Sequence, residues 1–580
     1  MAFRNIIRLL GYLKRYWPYV IASVIAILAL SGLDNLTPLV IMSAIDNMVS
    51  NQVFSDLLMY GAVFVGVASI RGVIRFLTQY GNQYVSNRLA FDLRNDLFKA
   101  LQSQSFTFYD KARTGQLMAR LTSDVDEIRW SFGMMIPATS NMLVTFAMAI
   151  VIMLSLDFTV SIYSMAIFPI LIILVVRFAN LTGPLFTEIR KGVGNLSAVV
   201  QENLSGVKIV RAFSAEEQET AKFDLNAERL LDLSLQVDRA RAIYMPMISL
   251  VVGAGSAFII LFGGLQVIQG MITLGSMVAL VSYLNMVAGP IRMMGFWIEG
   301  IRRALAGANR IFEILDAPVA ITERQGASDI GETDGRVSFQ NVTFQYADHP
   351  TLIDVSFDAK SGEKIAVVGR TGSGKTTILN LIPRFYDVNS GKITIDGVDV
   401  RDIKIDSLRR IVGVVPQEPF IFPTSIRDNI TLGDKSFTQD QVEAAAKAAQ
   451  IHDFIVSLPE GYDSLVGERG VTLSGGQRQR LSIARAILRS LGIVLLDDST
   501  SQVDVATEKQ IDKALDSLLR NRTSFIITNR ISTAAKSDRV ILLDMGKVIA
   551  IDTHENLLKK NELYREIFRS QIAEVLGGTE

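Results

Sequence analysis

The sequence predicts a membrane α-helical domain of six transmembrane helices with long cytoplasmic extensions, followed by an α/β domain of the P-loop type. Three observations predict it. Three long stretches contain no Lys or Arg at all. The composition changes abruptly near residues 316–336. Beyond that point, a glycine-rich loop ending in Gly-Lys-Thr joins a strand-like run to a helix-like run.

The chain has 580 residues, with 58 basic and 58 acidic side chains, so its formal charge is zero. Only 20% of residues are charged, 49% are hydrophobic, and the mean hydropathy is +0.31. Charged residues normally make up about a quarter of a soluble chain, so this one is unusually apolar. That excludes intrinsic disorder, which needs low hydrophobicity and high net charge. It also argues against nucleic acid as a partner, because bulk positive charge is missing. There is no cysteine, so disulfides, thiolate metal sites and a cysteine nucleophile are excluded.

The balanced total hides a segregated chain. The cation-free windows are Tyr16 to Ile70, Trp130 to Val176 and Ala242 to Ile291, of 55, 47 and 50 residues. A spanning helix needs about 20 apolar residues, so each window holds two helices and a turn. Their only acidic residues are Asp34, Asp46, Asp56 and Asp157, and the last two fall where turns are expected. Residues 71–129 and 177–241 carry nine Lys/Arg each, and residues 1–15 carry four. The excess of cations between windows puts those segments in the cytoplasm. The expected spans are 18–45, 56–80, 132–156, 158–178, 243–268 and 273–296, with the second and fifth running on past the membrane. Residues 3–16 alternate apolar and basic residues at helical spacing, which predicts an interfacial helix. No cleavable signal peptide is expected there.

Residues 1–320 are therefore read as the transmembrane domain. Residues 321–336, polar and containing Gly326, Gly331 and Gly335, are read as a linker. Residues 337–580 alternate short β-rich runs with helical patterns, which predicts a largely parallel sheet. The first 320 residues carry a formal charge of +4 and the remainder −4.

The strongest motif is Gly369-Arg370-Thr371-Gly372-Ser373-Gly374-Lys375-Thr376, followed by Thr377. It fits G-x-x-x-x-G-K-[ST] after the strand-like KIAVV. Glycines let the backbone wrap phosphate oxygens with its N–H groups. Lys375 is placed to reach the β- and γ-phosphates, and the Thr376 hydroxyl to ligate Mg²⁺. A second run, GIVLLDD, is a buried strand whose last residue, Asp497, is suited to hold Mg²⁺. A third, Leu473-Ser474-Gly475-Gly476-Gln477, opens a helical stretch. A serine and two glycines at a helix start make an anion site.

These three motifs in this order resemble the ATP-binding cassette (ABC) ATPases. The whole chain resembles a half-transporter of the exporter class, of the multidrug and lipid exporter type. The resemblance implies ATP and Mg²⁺ as cofactors. It implies that Tyr346 stacks on adenine and that Gln417 senses Mg²⁺ and the attacking water. It makes Gly467-Glu468-Arg469 an exporter-specific element and Asp504 part of the dimer-interface loop. Each ATP would be sandwiched between one domain's phosphate loop and a partner domain's Ser474-to-Gln477 equivalent, so two chains are needed. Residues 105–117 and 204–215 match the coupling helices that transmit closure to the membrane.

Two positions depart from the family pattern. The general base after Asp497 is normally Glu and here is Asp498, one methylene shorter, so its carboxylate falls about 1.5 Å short. The switch histidine is replaced by Asn529, which hydrogen-bonds but carries no charge. The chain's three histidines, His349, His452 and His554, lie elsewhere. Both departures fall in the site built on this chain's own phosphate loop. The expectation is a heterodimer in which this subunit's own site is degenerate. A homodimer with two slow sites, or a fused importer, are the alternatives. The expected substrate is hydrophobic or amphipathic: a drug, a lipid or a peptide. Asp34, inside the first span, is a candidate site residue, and Met286, Met293, Met294, Phe296 and Trp297 are candidate cavity lining. The expected location is the plasma (inner) membrane, multi-pass, with both termini and the ATPase domain cytoplasmic.

Overall fold

The computed structural model of the chain describes residues 2–51, 54–347, 349–467, 473–489, 491–497 and 505–569. Side chains at 2, 3, 6, 50, 51, 54–57, 292, 294–296, 298, 299 and 505–507 are not described. The chain divides into two compact units. The first comprises Met1–Ser103 and Ala112–Ala317, the second Gln104–Lys111 and Pro318–Glu580.

The first unit is all helix. In chain order it contains α1 (Ala2–Leu13), α2 (Trp17–Asn51) and α3 (Phe54–Ser103). Helix α4 (Phe106–Lys111) belongs to the second unit. Then come α5 (Thr114–Ala119), α6 (Val125–Trp130), α7 (Ile136–Leu156), α8 (Phe158–Met165) and α9 (Ile167–Ser205). The last are α10 (Val207–Ala212), α11 (Glu216–Phe258), α12 (Gly264–Ile268) and α13 (Leu274–Leu315). Among the described residues, six helical stretches are long and apolar enough to cross a membrane: Ile7–Val49, Leu58–Ser103, Thr114–Leu156, Phe158–Ser205, Glu216–Ile268 and Leu274–Ile291. In hydrocarbon every backbone group must be satisfied within the segment, which a helix does on its own.

The helices are much longer than their apolar parts. Continuation past the charges was expected for the second and fifth spans. The third and fourth do the same, starting at Thr114 and ending at Ser205, and α13 runs to Leu315. Charge ends the apolar stretch without ending the helix. Pairs three residues apart, such as Glu188–Lys191 at 2.7 Å and Asp126–Arg129 at 2.9 Å, carry it on in water.

Polar rungs fasten α1, α2 and the short turn between them (Lys14–Tyr16) to α3. Tyr12 donates to Asp96 at 2.8 Å, Tyr16 to Asp92 at 2.8 Å, and Ser23 to Asn82 at 2.6 Å. Asp34 sits 3.4 Å from Arg71, both half-exposed. The intramembrane acid thus forms one rung of this ladder. Further polar contacts join α2 to other helices. Ser31 donates to Asn141 at 3.0 Å, and the buried Tyr283 donates to the Asn35 carbonyl at 2.5 Å. Met286 packs on the apolar core around Tyr283, while Met293 is exposed. The side chains of Met294 and Phe296 lie outside the described residues.

The second unit holds two sheets. The smaller has strand order β2-β1-β4-β5, from β1 (Val337–Tyr346), β2 (His349–Ala359), β4 (Ser390–Ile395) and β5 (Val398–Asp399), all antiparallel. The larger has order β10-β9-β3-β8-β7-β6. It comprises β3 (Lys364–Gly369), β6 (Val412–Val415), β7 (Ile493–Asp497), β8 (Thr523–Ile527), β9 (Arg539–Asp544) and β10 (Lys547–Asp552). Neighbours from β9 to β6 are parallel, and β10 is antiparallel. Near-continuous apolar strands such as IVLL are what a sheet covered on both faces requires.

One core, around Phe339, Phe357, Ile378 and Phe525, joins the two sheets through α14 (Lys375–Leu381) and α15 (Ile405–Ile411). A second core lies under α16 (Ile426–Thr431), α17 (Gln439–Ala448), α18 (His452–Val456), α19 (Gly475–Leu488) and α20 (Val505–Leu519). A third seats α21 (Ile531–Ala535), α22 (His554–Lys560) and α23 (Glu562–Ile567).

The stretch read as a linker is fastened to this unit. Arg324 pairs with Asp402 at 2.9 Å, and Asp396 accepts from the amides of Asp334 and Arg336 at 3.0 and 2.9 Å. Helix α4 also belongs here rather than with the membrane helices. Phe106 packs on Phe385 with ring centroids 4.4 Å apart, and Tyr386 donates to Asp110 at 3.1 Å. Burial, and then that hydrogen bond, hold the Tyr386 phenol well above its ordinary value.

Candidate nucleotide site

The parallel strands bring distant residues to one edge. Val367 of β3 and Asp497 of β7 both pair in register with Ile527 of β8, and Val415 of β6 pairs with Leu496. Gly369 ends β3 two residues past this row, Asn529 follows β8 two residues past it, and Gln417 follows β6 one residue past it. Asp497 is in the row itself. Ligands of open α/β sheets bind outside the carboxyl ends of the strands, and this is that edge.

The phosphate loop is shaped by what its glycines allow. Gly374 has φ +100°, and a Cβ there would stand 2.6 Å from the Leu352 side chain and 2.9 Å from the Thr351 carbonyl. At Gly369 a Cβ would meet the Leu543 carbonyl at 2.3 Å. No other residue type fits either position. The Lys375 ammonium donates to the carbonyls of Gly369 and Arg370 at 2.7 and 2.9 Å. Thr376 Oγ1 lies 3.4 Å from Asp497 Oδ2, and Thr377 is buried. Arg370 reaches both carboxylate oxygens of Glu566, at 2.9 and 2.7 Å. Gly372 has φ +81°, and Thr371 beside it is exposed.

The residues fit a nucleotide phosphate. The Ser373 hydroxyl is buried and has no hydrogen-bond partner among the described residues. An unsatisfied buried hydroxyl costs about 1–3 kcal/mol, which a bound phosphate oxygen relieves. An ammonium resting on two carbonyls is a donor ready to be redirected to an anion.

Tyr346 ends β1 edge-on to Phe344 and Tyr386, with centroids 4.7 and 5.1 Å away at 90° and 88°. It lines an open cavity of about 670 Å³ with Tyr386, Asn389 and, from α4, Thr107 and Asp110. Gln417 and Asn529 are exposed. Ser474 caps α19: its hydroxyl accepts from the Gln477 amide at 3.3 Å, and Gln477 Oε1 accepts from the Ser474 amide at 2.8 Å. A side chain at Gly475 would meet nothing within 4 Å, whereas Gly476 is buried. This helix start therefore presents an open backbone face. Glu468, Arg469, Asp498 and Asp504 lie outside the described residues.

Two supporting residues were not anticipated. Arg485 of α19 donates to the Phe420 carbonyl at 2.6 Å and to the carbonyl and side-chain oxygens of Asn429 at 2.6 and 2.7 Å. Burial lowers its guanidinium to about 10. Asn429, fully buried, in turn accepts from the Phe422 amide at 2.9 Å. Together they tie α19 to the segment that follows Gln417. Only the fold shows this, because an Arg and an Asn, each inside a helix, carry no signal in sequence.

The comparisons with known proteins agree with this geometry. Residues 20–291 match the family described as "ABC transporter transmembrane region", and residues 352–501 match "ABC transporter". The chain is similar to an "ATP-dependent lipid A-core flippase" of Syntrophus aciditrophicus, 33% identical over 99% of this chain and 95% of that one. It is similar to a "Putative multidrug export ATP-binding/permease protein" of Staphylococcus aureus, 34% identical over 97% of this chain and 99% of that one. Among solved structures, a bacterial Atm1-family ABC exporter with ATP bound superposes with a TM-score of 0.78. It is 27% identical, over 96% of this chain and 98% of that one. Six apolar helices, a phosphate loop on a parallel sheet and full-length similarity lead to one conclusion: the chain belongs to the ABC transporter family, as a multi-pass exporter whose α/β domain binds ATP and acts as an ATPase.

Proposed function

We propose that the chain is one subunit of a heterodimeric exporter and that the ATP site built on its own phosphate loop is degenerate. The observation that carries this reading is Asn529. It follows β8, two residues past the row that holds Asp497, where the family has a histidine. Asp498, next after Asp497 in sequence, adds the second departure. The intact Ser474-to-Gln477 segment, with its open helix start, serves the partner's ATP.

In this reading Lys375 and the loop amides hold the β- and γ-phosphates, and Tyr346 offers its ring to adenine. Thr376, Asp497 and Gln417 hold Mg²⁺, which when bound neutralises charge developing on the phosphate oxygens. Asp498 accepts a proton from the attacking water, from a carboxylate set about 1.5 Å back. A displacement of about 1 Å in a catalytic group costs on the order of 100-fold in rate, so turnover here is slow. Asp504 contributes to the dimer interface. Residues 1–320 serve as the membrane domain, 321–336 as the linker and 337–580 as the ATPase domain, facing the cytoplasm from the inner membrane.

The substrate is hydrophobic or amphipathic. The relatives named for a lipid A-core flippase and for multidrug export support that class. Some of the membrane unit's polar groups are spent between helices, as in the Asp34–Arg71 and Ser31–Asn141 contacts.

ATP hydrolysis by the purified chain tests this reading, measured alone and with a second half-transporter that has Glu and His at the two positions. Slow turnover alone and fast turnover together are expected. Normal turnover by the lone chain overturns the degenerate site and favours a homodimer.

A further inference from the structure

We propose that Glu566, near the end of the C-terminal helix pair, is a positioning residue for the nucleotide site: it tethers Arg370 of the phosphate loop and holds down the loop's affinity for nucleotide. One nitrogen of the Arg370 guanidinium contacts both Glu566 oxygens, at 2.9 and 2.7 Å.

Arg370 is the second residue of the loop, and its carbonyl does two jobs. It accepts from the Lys375 ammonium at 2.9 Å and from the Ser373 amide at 3.1 Å. Both are donors that face a bound phosphate, so whatever fixes Arg370 fixes the resting state of both.

The tether has a firm base. Tyr564 and Phe568 flank Glu566 in sequence and are fully buried, packing with Ala366 and Val368 of β3, the strand that runs into the loop. Tyr564 is also hydrogen-bonded to His554 of α22 at 2.7 Å. Helix α23 is thus seated under the loop's own strand and reaches up to its second residue.

The sign of the effect follows from the charges. Glu566 places an anion beside a cradle for anions and engages a cation that would otherwise be free to turn to the phosphates. Removing the carboxylate raises the positive potential at the loop and releases Arg370, so nucleotide binds more tightly. Arg370 and Glu566 side chains are 51% and 59% exposed, so the effect is modest and weakens with salt.

The test is binding of a fluorescent trinitrophenyl-ATP to the full-length chain in detergent. Glu566→Gln, nearly isosteric, is expected to tighten binding about threefold to fivefold at low salt, and the gain should vanish at about 0.5 M salt, where the Debye length is only a few Å. Glu566→Asp, which keeps the charge, should stay near the parent value. In an Arg370→Ala background Glu566→Gln should give clearly less than that gain, only what the field of the carboxylate itself contributes. Unchanged or weaker binding in Glu566→Gln overturns the tether. So does the same tightening in the Arg370→Ala background, since Arg370 would then not be the link.

Discussion

The hydroxyl of Thr376 lies 3.4 Å from the carboxylate of Asp497, across 121 residues of sequence. One ends the phosphate loop and the other ends β7. That gap is a loose contact for a direct hydrogen bond, and it suits two oxygens that share a hard cation with waters. Asp497→Asn removes the charge and keeps the shape. We expect it to raise the Mg²⁺ concentration needed for half-maximal ATPase activity by roughly tenfold or more. A Mg²⁺ titration at fixed ATP checks this. An unchanged titration curve would move the metal role away from Asp497.

Asp498 and Asn529 follow the two adjacent strands β7 and β8. The double change Asp498→Glu with Asn529→His should raise the turnover of this chain's own site by on the order of 100-fold, the scale set by a misplacement of about 1 Å. Single-turnover hydrolysis measures it without product release. No gain would mean that other residues limit this site.

Gly275 opens α13 against the end of α2. A Cβ there would stand 2.3 Å from the Met42 carbonyl and 2.7 Å from Asp46, whose carboxylate accepts from the Gly275 amide at 2.8 Å. Gly275→Ala should therefore cost about 1–3 kcal/mol by overpacking and lower the melting temperature in detergent. Gly270→Ala nearby, open on every side but at φ +73°, separates steric crowding from backbone strain.

Tyr386 anchors α4 through Asp110, and burial first, then that bond, raises its phenol above the ordinary value. A raised acid contributes stability that is present below the unfolded value, near pH 10, and is lost as pH rises through the folded one. Tyr386→Phe should cost about 0.5–1.5 kcal/mol at neutral pH and reduce the alkaline loss, leaving the share of other buried tyrosines such as Tyr462 and Tyr564. Melting curves from pH 8 to 11 decide it.

His554 behaves in the opposite sense. Burial lowers its imidazole below the usual value, despite Glu555 nearby. The neutral form is therefore favoured in the folded protein. Its contribution is complete above the unfolded value, near pH 6.5, and falls as pH drops through the folded value. The seat of α22 and α23 should loosen between pH 6.5 and 5, read as faster amide exchange in residues 554–567. His554→Gln should remove that pH dependence.

Much of this was legible in the chain because it rests on short-range rules. The absence of Lys and Arg over three windows marks the membrane helices, since charge in hydrocarbon is costly at any position. Gly369 to Thr376 marks a phosphate loop because φ +100° at Gly374 and the lack of room for a Cβ at Gly369 admit only glycine. The helical extensions were less visible, because periodicity in water-exposed helix is weak and ion pairs replace apolar burial as the support.

What the sequence determined by itself is therefore the inventory: six apolar spans, a phosphate loop, a strand ending in Asp497 and a helix opened by Ser474. The tertiary structure decided which of these meet. Parallel pairing through Ile527 sets Val367 and Asp497 in one row. Packing of Phe106 on Phe385 assigns α4 to the second unit, and α23 brings Glu566 to Arg370, 196 residues away. Such meetings depend on strand order and helix packing, which arise from burial summed over the whole chain. No local stretch of residues encodes them.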